Sequence, residues 1–269
     1  MGEISLKSKN TYSLGDSNIA ANRLKLINDM FNLSTRRFLR ENASINPKVA
    51  IDLGCGPGLT TKSIKEELKP FKLIGIDISD FYVNKANQES DIAFIKWDTT
   101  EMPLPYAPAN LIYARFLLAH LPNIEEAITK WHGCLAEDGL LMIEDTEWIS
   151  SEEKVFKEYH ALVEETIKNS GGKLYIGNGI SEIASYNDRK VITNQIVEVQ
   201  PPIELAAKAF KLNLEVLKNT EFVKKNYDQK YIADLLKSIQ DVAENPMNYD
   251  KNLGSKWGIR QIMIKKESL

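Results

Sequence analysis

The sequence predicts an α/β fold built on a mostly parallel sheet. Five apolar, strand-prone runs alternate with helical stretches: KVAIDL, FKLIGID, IAFIKWD, NLIYARF and GLLMIED. Near-continuous apolar strands separated by helices are typical of a parallel sheet that is covered on both faces. Two later runs, KVITNQIVEVQPP and KWGIRQIMIKK, alternate apolar and polar residues as half-exposed strands do. We predict that they form an antiparallel pair at the edge of the sheet.

The length and composition are those of one α/β domain, with two small domains as the alternative. The 269 residues are 43% hydrophobic, which is enough to bury a sizeable core. The net charge is −3, with acidic and basic residues interspersed, so nucleic acid is a disfavoured partner. The polar N-terminus predicts no signal peptide, and no apolar run is long enough to predict a membrane span. Because Cys55 and Cys134 are the only cysteines, we expect a reduced, cytoplasmic protein with neither a disulfide scaffold nor a metal site.

A glycine-rich stretch, VAIDLGCGPGLTT, follows the first predicted strand. Gly54, Gly56 and Gly58 come directly after the strand, and a helix is predicted to begin near Thr60. Glycines at this point let a ligand approach where a Cβ atom would clash, and they expose backbone N–H groups. A plain tight turn is the alternative. The spacing D-x-G-x-G-x-G also differs from the G-x-G-x-x-G of dinucleotide-binding enzymes.

Carboxylates follow the next two predicted strands. Asp77 ends the second strand, where it can accept hydrogen bonds from both hydroxyls of a ribose. Asp98 follows the third strand, where it can accept a hydrogen bond from an adenine amino group. Together with the glycine turn, these acids predict a ligand that contains a nucleoside.

Four ordered segments carry a family resemblance. VAIDLGCGPGLTT, LIGIDIS, IKWDTTEMPLPYAPANLIYARFLLAHLPN and LAEDGLLMIED resemble successive motifs of the class I S-adenosylmethionine (SAM)-dependent methyltransferases. The resemblance implies a Rossmann-like fold with seven strands in the order 3-2-1-4-5-7-6. Strand seven, the last along the chain, would be antiparallel to the others. It also implies S-adenosyl-L-methionine as the cofactor and S-adenosyl-L-homocysteine (SAH) as the product.

The same resemblance implies a set of cofactor-binding residues: Asp52, Gly54, Cys55, Gly56, Gly58, Asp77, Ile78, Asp98, Thr99, Ala114 and Arg115. The glycine loop would follow the methionine half of the cofactor. Asp52 would orient the methionine amino end through water and the loop backbone. Asp77 would bind the ribose, Ile78 would pack on the adenine, and Asp98 with Thr99 would bind the adenine. The last two residues of the set would edge the methionine moiety with their carbonyls.

The N-terminal stretch YSLGDSNIAANRLKLINDMFNLSTRRFL resembles the opening helices of a bacterial subgroup of small-molecule methyltransferases, which fold over the cofactor. That likeness places Tyr12 near the sulfonium centre. It places Arg36, or its neighbour Arg37, on the methionine carboxylate, a group that a guanidinium binds bidentately. Two solvated arginines on a helix face are the alternative.

No motif identifies a catalytic base, because methyl transfer from a sulfonium mainly requires a nucleophile held in line. Four candidates follow the fourth and fifth strands: His120, Glu144, Asp145 and Glu147. The histidine titrates near neutrality but could be purely structural. The acids could bind an amine, accept a proton or form a solvated loop. Trp148 and Tyr175 are candidates for the acceptor pocket, although aromatic residues more often serve packing.

Two helical tracts fall outside the strand–helix alternation, at about residues 151–169 and 203–243. The first has one apolar face at helical spacing and leaves from the carboxyl end of a central strand, where such sheets bind ligands. We predict one domain over residues 1–269: an N-terminal lid (1–45), a cofactor-binding core (46–145) and cap segments (146–180 and 203–256) that enclose the acceptor.

The predicted function is therefore methyl transfer from SAM to a small-molecule acceptor, at oxygen, at nitrogen or, less often, at carbon. Two alternatives remain open at this point. One is an enzyme of the same fold that does not transfer methyl, and the other is a non-catalytic regulatory module that binds a nucleoside. The sequence does not indicate the acceptor or the oligomeric state.

Overall fold

A seven-stranded sheet forms the centre of the computed structural model, which describes residues 16–184 and 189–267. In chain order the strands are β1 (Val49–Leu53), β2 (Lys72–Asp77), β3 (Ala93–Lys96), β4 (Ala109–Arg115), β5 (Leu135–Ser150), β6 (Arg189–Val199) and β7 (Lys256–Lys266). Their order across the sheet is β3-β2-β1-β4-β5-β7-β6, and β7 runs antiparallel to both of its neighbours. The predicted strand order and the antiparallel last strand are thus confirmed.

Helices connect the strands and cover the sheet. They are α1 (Asn18–Asn42), α2 (Leu59–Leu68), α3 (Asp80–Glu89), α4 (Ile124–Gly133), α5 (Lys154–Asn169), α6 (Gly177–Ala184), α7 (Ile203–Leu217), α8 (Glu221–Asn226) and α9 (Gln229–Glu244). Ser17 caps α1 by accepting a hydrogen bond from the backbone N–H of Ala20, as serine commonly does at this position. None of the helices in the described ranges has both the length and the apolar character needed to cross a membrane.

The two strands with alternating sequence differ in their surroundings. Strand β6 lies at the edge and is half-exposed, as predicted, but β7 is mostly buried because it lies between β5 and β6. Its polar residue Gln261 is buried because it has partners: Gln261 donates to Glu144 Oε1 at 2.6 Å and accepts from Gln195 Nε2 at 2.8 Å. The prediction of half exposure was therefore wrong for β7.

A second layer of helices packs at one end of the sheet. Helices α1, α5, α7 and α9 share one apolar cluster, whose buried members include Phe31, Phe156, Phe210, Leu235 and Trp257. Trp257 of β7 is in register with Ile149, near the carboxyl end of β5. The cluster therefore lies beside the carboxyl ends of the parallel strands, the edge at which such sheets bind ligands.

Candidate functional site

A cavity of about 310 Å³ lies between the carboxyl ends of the strands and the helical layer. Its walls come from the loop after β1, from the ends of β2 to β5, and from helices α1, α5 and α7. This volume lies at the lower end of the range for small-molecule sites. The structure thus brings segments far apart in the chain around one small space.

The loop after β1 presents its backbone to this cavity. Gly54 and Gly56 adopt φ angles of +63° and +52°, which a side chain would strain, and both line the cavity with Cys55. Gly58 has a different role. It caps α2 at φ +82°, and a Cβ atom there would come within 2.6 Å of the Phe94 ring. Gly58 therefore serves the packing of α2 on β3 and does not line the cavity.

The two predicted acids at the strand ends also line the cavity. Asp77 Oδ2 accepts a hydrogen bond from the Gly56 N–H at 2.8 Å, and Oδ1 accepts one from the Ser79 N–H at 2.9 Å. Burial raises the pKa of Asp77 above its usual value. Asp98 Oδ1 accepts from the backbone N–H of Thr100 at 2.9 Å. Ile78 and Thr99, which follow the two acids, complete this side of the cavity.

Asp52 lies beneath the glycine loop and does not line the cavity. Its side chain is 1% exposed, and Oδ2 accepts hydrogen bonds from the Thr60 and Thr61 hydroxyls at 2.7 and 2.6 Å. Oδ1 is buried and has no hydrogen-bond partner among the described residues. Burial raises the pKa of Asp52 to about 6. An oxygen in this position can accept a hydrogen bond only from the loop backbone or from a water, so direct contact with a ligand is not its role.

The raised pKa of Asp52 predicts how stability depends on pH. Between the unfolded value of 3.8 and about 6, the native state holds a proton that the unfolded state has released. Stability from this group is therefore full below pH 3.8 and is lost as the pH rises through 6. Because asparagine cannot titrate, the free energy of unfolding of Asp52→Asn is expected to rise relative to that of wild type by on the order of 2–3 kcal/mol from pH 4 to pH 7.5. Urea unfolding of both proteins at these pH values measures this change. A difference in unfolding free energy that is the same at both pH values would contradict the prediction.

Three arginines of interest have different surroundings. Arg36 faces α2, where it pairs with Glu66 at 2.5 Å and with Glu67 at 2.7 Å, outside the cavity. Its neighbour Arg37 pairs with Glu41 on the exposed side of α1. Arg115 does line the cavity: its guanidinium donates to Thr35 Oγ1 at 3.0 Å and to Asn28 Oδ1 at 2.9 Å. The structure therefore places Arg115 at the cavity and both Arg36 and Arg37 outside it, contrary to the position that the prediction expects.

Arg23, which the sequence analysis did not single out, is 1% exposed and also lines the cavity. Ala114, by contrast, is buried in the sheet between β1 and β5 and does not reach the cavity. Tyr12 lies outside the described residues. The sequence shows Arg23 as a charged residue among apolar residues of a helix. It does not show which face of that helix is buried, so it could not identify Arg23 as a cavity residue.

The catalytic candidates separate into two pairs. Glu144 is 1% exposed and accepts hydrogen bonds from Tyr113 Oη, Thr35 Oγ1 and Gln261 Nε2, so its carboxylate joins α1, β4 and β7 and does not line the cavity. Glu147 forms an ion pair with Arg260 at 2.8 Å, also outside the cavity. Both acids thus bond other protein side chains outside the cavity, a placement that does not favour their role as catalytic candidates.

His120 and Asp145 do line the cavity. Burial, helped by the charge of Arg23, lowers the pKa of His120 to about 4, so its imidazole is neutral at pH 7. Asp145 Oδ2 accepts from the Leu118 N–H at 3.1 Å and Oδ1 from its neighbour's N–H at 2.9 Å. Burial nevertheless raises the pKa of Asp145 to about 7. A carboxyl group that titrates near neutrality is suited to hold or release a proton.

The aromatic residues around the cavity are not the predicted pair, Trp148 and Tyr175. Trp148 packs against Gly258 of β7, where a Cβ atom would lie 2.3 Å from the indole, and neither Trp148 nor Tyr175 lines the cavity. Besides His120, the rings that do line it are Phe31, Tyr82, Phe116, Tyr159, His160, Phe210 and Trp257. Within the two described ranges, no group of three or more His, Cys, Asp or Glu side chains could hold a metal ion.

Comparisons with known proteins agree with this geometry. Residues 50–139 match the family described as "Methyltransferase domain". The trans-aconitate 2-methyltransferase of Methylobacterium radiotolerans is 34% identical over 99 residues, which are 36% of this chain and 38% of that protein. The enzyme of the same name from Rhizobium rhizogenes is 31% identical over 121 residues, 45% of this chain and 44% of that protein. The chain therefore covers less than half the length of these curated relatives.

Among solved structures, mycolic acid cyclopropane synthase CmaA1, complexed with SAH and CTAB, has a TM-score of 0.63. The two chains are 15% identical, and the match covers 98% of this chain and 100% of the solved one. This likeness shows the fold. Residues 50–139 are therefore similar to methyltransferase domains, and they lie within a seven-stranded sheet of the expected order. The methyltransferase match over residues 50–139 contains the glycine loop and both acids but none of helices α1, α5, α7 and α9.

Proposed function

We propose that this chain transfers the methyl group of SAM to a small-molecule acceptor. One observation carries the proposal: the glycine loop, Asp77 and Asp98 open into the same cavity as helices α5 and α7. A cofactor held by the loop and the acids would therefore share an enclosed space with a second molecule held by the helices. Reactions of a sulfonium benefit from such a space, because it holds the two reactants in line and excludes water.

The residues of the chain fit the cofactor. The carboxylate of Asp77 suits the ribose hydroxyls, and Asp98 with Thr99 suits the adenine edge, while positive φ angles at Gly54 and Gly56 allow the close approach of a ligand. The buried, unpaired Oδ1 of Asp52 under the loop also suits a site that orders its loop around a bound group. When bound, SAM supplies an activated methyl group with a good leaving group.

The remaining work of the protein is to hold the acceptor and manage one proton. Asp145 lines the cavity, and because burial raises its pKa to about 7, it can take a proton from an acceptor oxygen or nitrogen near neutral pH. His120, whose pKa is lowered to about 4, is a weaker base and serves mainly as a neutral wall of the cavity. Acceptors that lose a proton on methylation, at oxygen or nitrogen, suit this arrangement better than carbon acceptors.

The names of the curated relatives suggest trans-aconitate as one acceptor to test. The relatives match 36% and 45% of this chain, and the family match over residues 50–139 contains none of the helices α1, α5 and α7 that line the cavity. Trans-aconitate therefore enters the acceptor panel as one compound among several classes.

The test has two stages. Calorimetry with SAH measures cofactor binding, and mass spectrometry then follows the conversion of SAM into SAH in the presence of phenols, amines, carboxylates and trans-aconitate. SAH formation that depends on one acceptor would support the proposal. Binding without turnover over the whole panel would favour a regulatory module, and a SAM-derived product other than SAH would favour a different reaction.

The arginines provide a sharper prediction about cofactor binding. Arg115→Met is expected to weaken SAH binding about tenfold, because Arg115 is the guanidinium that Thr35 and Asn28 orient at the end of β4, beside the glycine loop. Arg36→Met removes the same charge from the outer side of α1, and we expect SAH affinity to stay within about twofold of wild type. Calorimetry on both variants decides it. A large loss with Arg36→Met alone would restore the original assignment.

A further inference from the structure

The part of the cavity formed by the helices is lined by aromatic rings in mutual contact. The Phe31 ring meets Phe116 and Trp257 edge to face, with centroids 5.1 and 5.5 Å apart. Phe210 lies 5.9 Å from Trp257 and stacks on Tyr159 at 4.3 Å with an interplanar angle of 21°. All five rings line the cavity. Such walls favour a flat, largely apolar body over a hydrated one.

A chain of hydrogen bonds ends in this aromatic region. Arg23 Nη1 donates to Asn213 Oδ1 at 2.7 Å, and Asn213 Nδ2 donates to Tyr159 Oη at 2.7 Å. The arginine has no acceptor atom, so the orientation of the Asn213 amide is fixed: its oxygen faces Arg23 and its nitrogen faces Tyr159. We call these three side chains the donor relay. All three are buried and line the cavity.

The relay determines what Tyr159 can offer to a ligand. Because Tyr159 Oη already accepts from Asn213, its own proton remains to be donated. Burial raises the pKa of Tyr159 above its usual value, so the phenol keeps that proton at neutral pH. Hydrogen bonds in a chain polarise one another, so the charge of Arg23 strengthens the Tyr159 donor through the amide. The partner for the Tyr159 hydroxyl is a ligand oxygen that accepts its hydrogen bond.

We propose that the acceptor substrate is a flat, mainly apolar molecule that presents a carbonyl or carboxylate oxygen to Tyr159, with its body among the aromatic rings. This inference rests on the proposed function, since it concerns the second molecule in the cavity. Tyr159 and Asn213 would be specificity-determining residues, and the relay would select for an oxygen at one defined end of the substrate.

The charge of the cavity also separates this substrate class from a polycarboxylate. Among the described residues that line the cavity, the side chains that are cationic at neutral pH are Arg23 and Arg115. His120 and His160 line it as well, but burial lowers the pKa of each to about 4. A tricarboxylate beside the cofactor's own carboxylate would leave negative charge in apolar surroundings, which is costly.

The experiment uses the full chain saturated with SAH and two probes that differ in one group. 4-Hydroxyacetophenone carries a carbonyl, and 4-ethylphenol has a similar shape without it. We expect 4-hydroxyacetophenone to bind about tenfold more tightly, because a site built to donate a hydrogen bond to a carbonyl discriminates against the analogue that has none at that end. Tyr159→Phe keeps the ring and should remove this difference. Tyr227→Phe is the matched control, since Tyr227 bonds Glu165 on the exposed surface and does not line the cavity.

The outcomes are separable from those of the proposed function. SAH affinity is measured first on each variant, and unchanged affinity in Tyr159→Phe shows an intact fold and cofactor site. Failure of wild type to bind SAH would refute the proposed function. With SAH bound, the relay proposal is overturned by any of three results: 4-hydroxyacetophenone does not bind, its advantage persists in Tyr159→Phe, or trans-aconitate binds more tightly than 4-hydroxyacetophenone.

Discussion

Asp77→Asn is expected to weaken SAH binding about a hundredfold while the chain stays folded. Two charged hydrogen bonds to ribose hydroxyls would be lost, at roughly 1.5 kcal/mol or more each. The amide adds a second cost, because Asp77 already accepts from the N–H groups of Gly56 and Ser79 through its two separate oxygens. An asparagine would direct its NH₂ group at one of these donors and so disturb the glycine loop itself.

Calorimetry with SAH measures this effect, and a thermal melt without ligand checks the fold. Asp91→Asn is the matched control, since Asp91 is exposed and pairs with Lys65 at 2.6 Å, away from the cavity. An Asp77→Asn variant that binds SAH as wild type does would remove Asp77 from the cofactor site.

Glu144→Ala is expected to cost about 3–5 kcal/mol of unfolding free energy, the largest stability effect that we predict. The substitution leaves three buried donors, on Tyr113, Thr35 and Gln261, without their common acceptor. Breaking a buried polar network by removing one partner costs the desolvation of the groups left behind. The loss should also loosen α1 from the sheet, because Thr35 connects that helix to both Glu144 and Arg115.

Urea unfolding measures this stability loss. Glu144→Gln keeps the size and one accepting oxygen, and the hydroxyls of Thr35 and Tyr113 can rotate to accept from its amide, so we expect a smaller loss. Glu147→Ala, which breaks a partly exposed ion pair with Arg260, should cost about 1 kcal/mol or less. Equal losses from Glu144→Ala and Glu147→Ala would contradict the role that we give to the buried network.

The residues predicted at the strand ends are those that the structure brings together. Gly54, Gly56, Asp77 and Asp98 all line the cavity. Their positions follow from local pattern, because each comes directly after a strand, and the carboxyl ends of parallel strands meet along one edge of a sheet. A sequence that shows where the strands end therefore also shows which residues meet at that edge.

Side chains on helices and within strands were less predictable. Successive helix residues point about 100° apart, so Thr35 faces the buried network while Arg36, the next residue, faces α2 and its glutamates. Successive strand residues point to opposite faces, so Glu144 joins α1 while Asp145 faces the cavity. The local sequence shows this alternation but does not show which face the other elements cover.

The sequence by itself determined the alternation of strands and helices, the glycine loop and the acids at the strand ends, because these depend on short-range pattern and on the geometry of parallel strands. The strand order was implied by the family resemblance. Only the tertiary structure decided which arginines reach the cavity and which acid remains available there. It also decided the donor relay, since Arg23 and Asn213 are 190 residues apart and Asn213 and Tyr159 are 54 apart. Contacts over such separations depend on how α1, α5 and α7 pack together, and no local pattern encodes that packing.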